Sequence, residues 1–205
     1  MTERSVVVLS GGVSQPSSTR LLADRLTEAV TAALAERGED ASTTVVELRD
    51  LAHATVDATM TGFASGPLRA ALDALAAADA VILVSPVYTA SLSGMVKSFL
   101  DVVEPDALDE TPTLIGATGG TARHSLALEY AVRPVLAALR ADVVPTAVFA
   151  ATDDWADGGG DDVRPLTERI ADAAAELASA VTVRDRKRPV SPYETVPSFT
   201  DLLDG

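Results

Sequence analysis

Small alcohols and glycines gather at three places in this chain, each directly after a short apolar run. Val6, Val7, Val8 and Leu9 lead into Ser10, Gly11, Gly12, Val13, Ser14, Gln15, Pro16, Ser17, Ser18, Thr19 and Arg20. Val81, Ile82, Leu83 and Val84 lead into Ser85, Pro86, Val87, Tyr88 and Thr89. Thr113, Leu114, Ile115, Gly116 and Ala117 lead into Thr118, Gly119, Gly120 and Thr121. Hydroxyls and peptide N–H groups donate to anions, and glycine lets the backbone approach a ligand closely. Such turns at the carboxyl ends of parallel strands converge on one crevice, where ligands bind. The set points to a phosphate-bearing ligand, and the order of the turns suggests a flavin.

The elements that must position these turns alternate regularly. Strands are expected over residues 5–10, 43–48, 80–84, 113–117 and 143–149, as apolar, β-branched runs of strand length. Between them lie helical patterns. The first starts at Ser17 or Ser18 as N-cap, buries Leu21, Leu22, Leu26, Val30, Ala33 and Leu34, and ends near Gly38. Pro67 opens another, and further helices cover about 94–103, 124–140 and 164–183. Pro134 should bend the fourth of these, and residues 52–66 read as an irregular connection. Alternating strands and helices imply right-handed crossovers and an α/β domain, a five-stranded parallel sheet with helices on both faces. The domain spans 1–183, and 184–205 reads as an extended C-terminal tail lying on its own surface or on a sister subunit.

A length of 205 residues suits one such domain with a full core. The net charge of −14 disfavours nucleic acid as a partner, because a phosphate backbone needs a basic face. It also means that a bound phosphate must be held by amides, hydroxyls and a helix N-terminus rather than by clustered cations. Cysteine is absent, which removes disulfides, thiolate metal sites and cysteine nucleophiles. The start lacks a signal-peptide pattern and no apolar run is long enough to span a bilayer, so a cytoplasmic protein is expected. Neither the Gly-Lys-Ser/Thr phosphate loop nor the G-x-G-x-x-G fingerprint occurs, so triphosphate chemistry and a standard dinucleotide fold lose ground.

Each turn alone has a plain structural explanation: a serine-rich N-cap, a tyrosine closing the core, a tight glycine turn. Three in order along one sheet edge make those explanations improbable together. Lys97 and His53 read as solvated. His124, opening the helix after the glycine turn, reads as a neutral capping imidazole before it reads as a proton donor. Asp153, Asp154, Asp157, Asp161 and Asp162 do not match the calcium-loop spacing, so no metal site is expected.

The three turns resemble those of the NADPH-dependent FMN reductase family, within the flavodoxin-like superfamily. The closest likeness is to the reductases that serve two-component flavin monooxygenases. The stretches that carry it are 10–20, then 85–101 with Lys97, Ser98, Phe99, Leu100 and Asp101, then 117–136 with His124, Glu129, Tyr130, Arg133 and Pro134. The likeness covers about residues 5–150.

The resemblance implies a flavodoxin-like strand order, 2-1-3-4-5. It implies FMN phosphate at Ser14, Ser17, Ser18 and Thr19, with Ser10 also in the cofactor site. The isoalloxazine ring would lie along Pro86, Val87, Tyr88 and Thr89, its pyrimidine edge near Thr118, Gly119 and Gly120. Many relatives carry an arginine early in the first loop; Ser14 stands there in this chain, with Arg20 later, so either phosphate affinity is weaker or Arg20 folds back. A π-bulge at a subunit interface is implied near Tyr130, against the alternative of a core tyrosine. The implied activity is hydride transfer from NADPH or NADH to FMN, with no side chain acting as acid or base. A homodimer or homotetramer would pass reduced FMN to a monooxygenase. The rivals are an FMN-retaining quinone or azo reductase and a non-enzymatic flavodoxin-type electron carrier.

Overall fold

The computed structural model describes residues 3–155 and 164–184. The strands are β1 (Glu3–Ser10), β2 (Asp40–Glu47), β3 (Ala80–Tyr88), β4 (Ser91–Leu92), β5 (Pro112–Gly119), β6 (Asp142–Val143) and β7 (Val148–Ala151). The helices are α1 (Ser18–Ala35), α2 (Ala52–Thr61), α3 (Gly66–Ala76), α4 (Gly94–Asp101), α5 (Arg133–Ala138) and α6 (Leu166–Thr182). The sheet runs β2-β1-β3-β5-β6, with β7 also pairing β5 and all of these pairs parallel. With β5 as the fourth main strand and β6 with β7 as the fifth, this is the expected flavodoxin-like order.

Period-two alternation divides the core between the two faces. Val7, Leu9, Val81, Leu83 and Ile115 point to one side, where Leu68, Leu72 and Leu75 of α3 and Phe99 and Leu100 of α4 cover them. Val6, Val8, Ile82, Val84 and Leu114 point to the other, under Leu22, Leu26, Val30 and Leu34 of α1 and Ile170, Ala174 and Leu177 of α6. Leu21, expected in the α1 core face, is instead exposed.

Four expectations need correction. Residues 52–66 are not an irregular connection. A 3-10 turn (Leu48–Leu51) leads into α2, which ends at Gly62 with φ 73°. Only Thr55 and Ala58 of α2 are buried, while Val56 and Met60 face outward, so its sequence lacks an apolar period. The third strand extends to Tyr88, so Ser85–Tyr88 belong to β3 rather than to the turn after it. Val87 pairs with Leu92 and Tyr88 with Ser91 in a short hairpin. Its two central residues, Thr89 and Ala90, have φ of 50° and 61°, the arrangement of a type I′ turn.

The fifth strand is broken between β6 and β7, where Pro145 has no N–H for a ladder. Thr146 turns aside there, its N–H donating to Glu176 Oε2 (2.8 Å) and its hydroxyl to Oε1 (2.6 Å). The fourth helix is not uniform. A 3-10 turn (Ala122–His124) precedes it, and a π-helical segment (Leu128–Val132) runs directly into the short α5, so Pro134 sits just past the π/α junction, where the helix is irregular. The expected π-bulge is there. Tyr130 within it is 80 % exposed, which removes the core-tyrosine alternative.

The acidic positions Asp157, Asp161 and Asp162, and tail residues 185–205, lie outside the described residues. Among the described residues no helix is long and apolar enough to cross a membrane.

Candidate active site

The three turns meet in one cleft of about 370 Å³ at the carboxyl edge of the sheet. Gly12, Val13, Ser14, Ser17, Ser18 and Thr19 line it from the first turn, Pro86, Val87 and Tyr88 from β3, and Thr118, Gly119 and Gly120 from the end of β5. Thr152 and Trp155, from the 3-10 turn after β7, complete the wall. Ten of the twelve expected site residues thus share one surface. Ser10 does not. It is fully buried beneath the loop, and its hydroxyl has no hydrogen-bond partner. Thr89 does not line the cleft either; it stands exposed at the hairpin tip.

Local chemistry explains the first turn. Ser17 is the N-cap of α1, with extended backbone and Oγ accepting from Arg20 N (3.2 Å). The N–H groups of Ser18 and Thr19, in the first turn, have no intrahelical carbonyl to reach, and they carry the positive end of the helix dipole. Gly11 N donates to Val84 O (2.8 Å), tying the turn to β3. A Cβ on Gly12 would collide with the Ser17 side chain, so only glycine lets the loop close over its own cap. Thr19 differs from expectation in one respect: its hydroxyl is buried and bonded to Thr118 Oγ1 (2.8 Å), so it joins the first turn to the third.

The second turn is fixed from beneath. Ser85 Oγ donates to Pro86 O (2.9 Å) and accepts from Ser93 N (3.0 Å), while Ser93 caps α4 by accepting from Val96 N (3.2 Å). Tyr88 remains 50 % exposed on this rigid base. In the third turn, Gly119 lies against Phe149, whose Cζ would be 2.8 Å from an added Cβ.

Charge around the loop is arranged differently from the expected pattern. Arg20 does not line the cleft. It donates to Asp24 (2.7 Å) and Glu47 (2.5 Å), and those hydrogen bonds, that to Asp24 foremost, raise its pKa further. The cation that reaches the loop is Arg49, which donates to Ser14 O (3.1 Å). With the Gln15 amide oxygen turned toward it, both guanidinium nitrogens also donate there (3.2 and 2.8 Å). Arg49 could have been found from strand order alone. β1 and β2 pair in parallel with Ser10 opposite Glu47, so a side chain two residues past Glu47 arrives beside the first loop. Trp155 was missed because it lies in an Asp-rich stretch that reads as an exposed loop; the 3-10 turn Thr152–Trp155 carries it to the cleft.

Lys97 pairs with Asp101 (2.5 Å) and is a surface residue, as read. His124 ends the 3-10 turn after the glycines and is exposed; His53 is exposed too, on α2 rather than in a loop. Asp154 is engaged by Ala151 N (2.7 Å) and by Arg169.

Residues 4–156 match the family described as NADPH-dependent FMN reductase. The chain is 37 % identical to an FMN reductase (NADPH) of Pseudomonas aeruginosa over 84 % of this chain and 90 % of that one. It is 36 % identical to the NADH-dependent FMN reductase SfnE of Pseudomonas putida, over 76 % of this chain and 81 % of the other. An X-ray structure of an oxidoreductase from Corynebacterium diphtheriae superposes with a TM-score of 0.85 at 44 % identity, covering 90 % of this chain and all of that one. With its three turns in one cleft and its sheet in the flavodoxin-like order, the chain belongs to the NADPH-dependent FMN reductase family.

Proposed function

We propose that the protein binds FMN in this cleft, reduces it with NADPH or NADH, and delivers reduced FMN to a partner monooxygenase. The observation that carries the reading is the convergence of the three turns on one surface. The donor set suits a phosphate dianion. Ser14 and Ser18 hydroxyls and the Ser18 and Thr19 N–H groups surround a helix N-terminus. Ser17 Oγ still has its proton to donate while accepting from Arg20 N. The flat wall of Pro86, Val87 and Tyr88 suits the isoalloxazine ring. Thr118, Gly119 and Gly120 would face its pyrimidine edge, where a backbone N–H such as that of Gly120, past the end of the strand, would favour the anionic reduced form. Ser10 would support the loop from beneath.

FMN, when bound, supplies the hydride acceptor at N5. The protein's share is to hold two flat nucleotides in register and exclude water, and no side chain in the cleft is assigned a proton. The exposed Tyr130 and Leu126, on and beside the π segment, support a homodimer or homotetramer through that surface. The cytoplasm, where reduced nicotinamide nucleotides are available, is the compartment that fits.

An assay of NADPH and NADH oxidation with and without added FMN tests the reading. Turnover that needs free FMN supports it. A yellow protein that turns over quinones without added FMN favours a flavin-retaining reductase, and a yellow protein inert to both reductants favours an electron carrier. A colourless protein without turnover defeats all three.

A further inference from the structure

Trp155 is the only tryptophan in the chain, and it stands half-buried at the rim of the cleft. Its ring packs against the α1 and α6 core, and the Arg25 guanidinium carbon lies 5.0 Å from its centroid. The turn that carries it is clamped: Asp154 accepts from Ala151 N (2.7 Å) and from Arg169, which also donates to Phe149 O. Tryptophan offers an apolar ring and one N–H donor, which suits a site that is dry on one side and open on the other. Here the ring backs onto the core while the side chain borders the cleft beside Thr152.

In the order β3-β5-β7, the strands that lead to Tyr88 and to the Trp155 turn flank the end of β5 from opposite sides. Tyr88, Gly119, Gly120 and Trp155 all line the one cleft, so a flat ring lying over the glycines would have an aromatic wall on either hand. We propose that Trp155 is a ring-binding residue that closes the end of the cleft opposite Tyr88, offering its indole N–H and ring edge to the carbonyl-bearing pyrimidine end of the flavin. The inference rests on the FMN reading above and adds a contact that the three turns do not supply.

Calorimetric titration of the full chain with FMN tests it, with thermal unfolding measured alongside. Trp155→Leu keeps an apolar filler behind the rim and loses ring and donor; its Kd for FMN should rise about tenfold with the melting temperature little changed. Trp155→Phe keeps the ring and loses the donor; its Kd should rise about threefold. A leucine variant that binds FMN within twofold of wild type overturns the inference. If that variant does not fold, the phenylalanine variant decides, and an unchanged Kd overturns it equally. Wild-type protein without saturable FMN binding removes the underlying reading and the inference with it, a result distinct from an unaffected variant.

Discussion

The hydroxyls of Thr19 and Thr118 lie 2.8 Å apart, both buried, and join the start of α1 to the end of β5 across the strand between them. Two of the three turns are therefore not independent loops but one linked surface. Replacing either threonine by valine leaves the other, nearly buried hydroxyl without its partner, which costs about 1–3 kcal/mol. Replacing both removes the unpaired group, so the double variant should lose less stability than the two single losses added. Urea unfolding of the four proteins measures this. Strict additivity would mean that the bond contributes nothing. Each single variant should also bind FMN more weakly, because the first turn loses its anchor to the third.

Gly12 and Gly120 both line the cleft, yet only Gly12 should resist alanine. A Cβ on Gly12 meets the Ser17 hydroxyl and comes within 3.2 Å of Thr19 Cβ, whereas on Gly120 it meets nothing within 4 Å. Gly12→Ala must push Ser17 off its capping position, at a cost of about 1 kcal/mol, and reshapes the phosphate turn. Gly120→Ala should leave the melting temperature unchanged. Thermal unfolding of both variants decides, and equal melting temperatures would refute the crowding at Gly12.

The sequence made the strand ends legible because the central strands are continuous apolar runs and the chemistry sits directly after them. Ser17 as N-cap, the α1 stripe through Leu22 and Leu26, and the parallel order followed from local signals of this kind. What escaped was decided by tertiary contact. α2 buries only Thr55 and Ala58, too little to print a period on the sequence. The break at Pro145 is stabilised by Arg133 and Glu176, which lie 12 and 31 positions away along the chain and cannot be read locally. Thr19 looked like a free donor because its partner, Thr118, lies 99 residues on.

Arg49 stands behind the first loop, outside the cleft lining, and donates to Ser14 O, with Glu47 at 3.9 Å and Asp50 at 3.7 Å partly offsetting its charge. If that charge serves the phosphate turn, its removal should be felt by FMN and not by riboflavin. Arg49→Gln should raise the KM for FMN about fivefold, equivalent to roughly 1 kcal/mol, and leave riboflavin reduction nearly unchanged. The FMN effect should shrink as salt rises, since a partly exposed cation is screened. Equal losses for FMN and riboflavin would show that Arg49 shapes the loop and does not act on the phosphate.

Arg133 joins the π segment to the broken fifth strand. Its guanidinium donates to the carbonyls of Val143 (3.2 Å), Val144 (3.0 Å) and Pro145 (3.0 Å), and to both carboxylate oxygens of Glu129 (2.7 and 3.1 Å). Arg133→Ala leaves these acceptors without that donor and should cost about 2 kcal/mol in urea unfolding. Arg133→Lys should recover little, because an ammonium cannot reproduce the planar fork. The hydrogen bond from Arg133 foremost, and its charge, outweigh desolvation and hold the Glu129 carboxyl below its ordinary range. A depressed folded-state pKa stabilises at pH above the ordinary carboxylate value, and the gain is lost as pH falls through the folded value. Glu129 is 45 % exposed, so the effect should be only a few tenths of a kcal/mol. Wild type should therefore exceed Glu129→Gln by a small constant margin between pH 6 and 8, closing below about pH 4. A margin that grows on acidification would reverse the sign and refute the pairing.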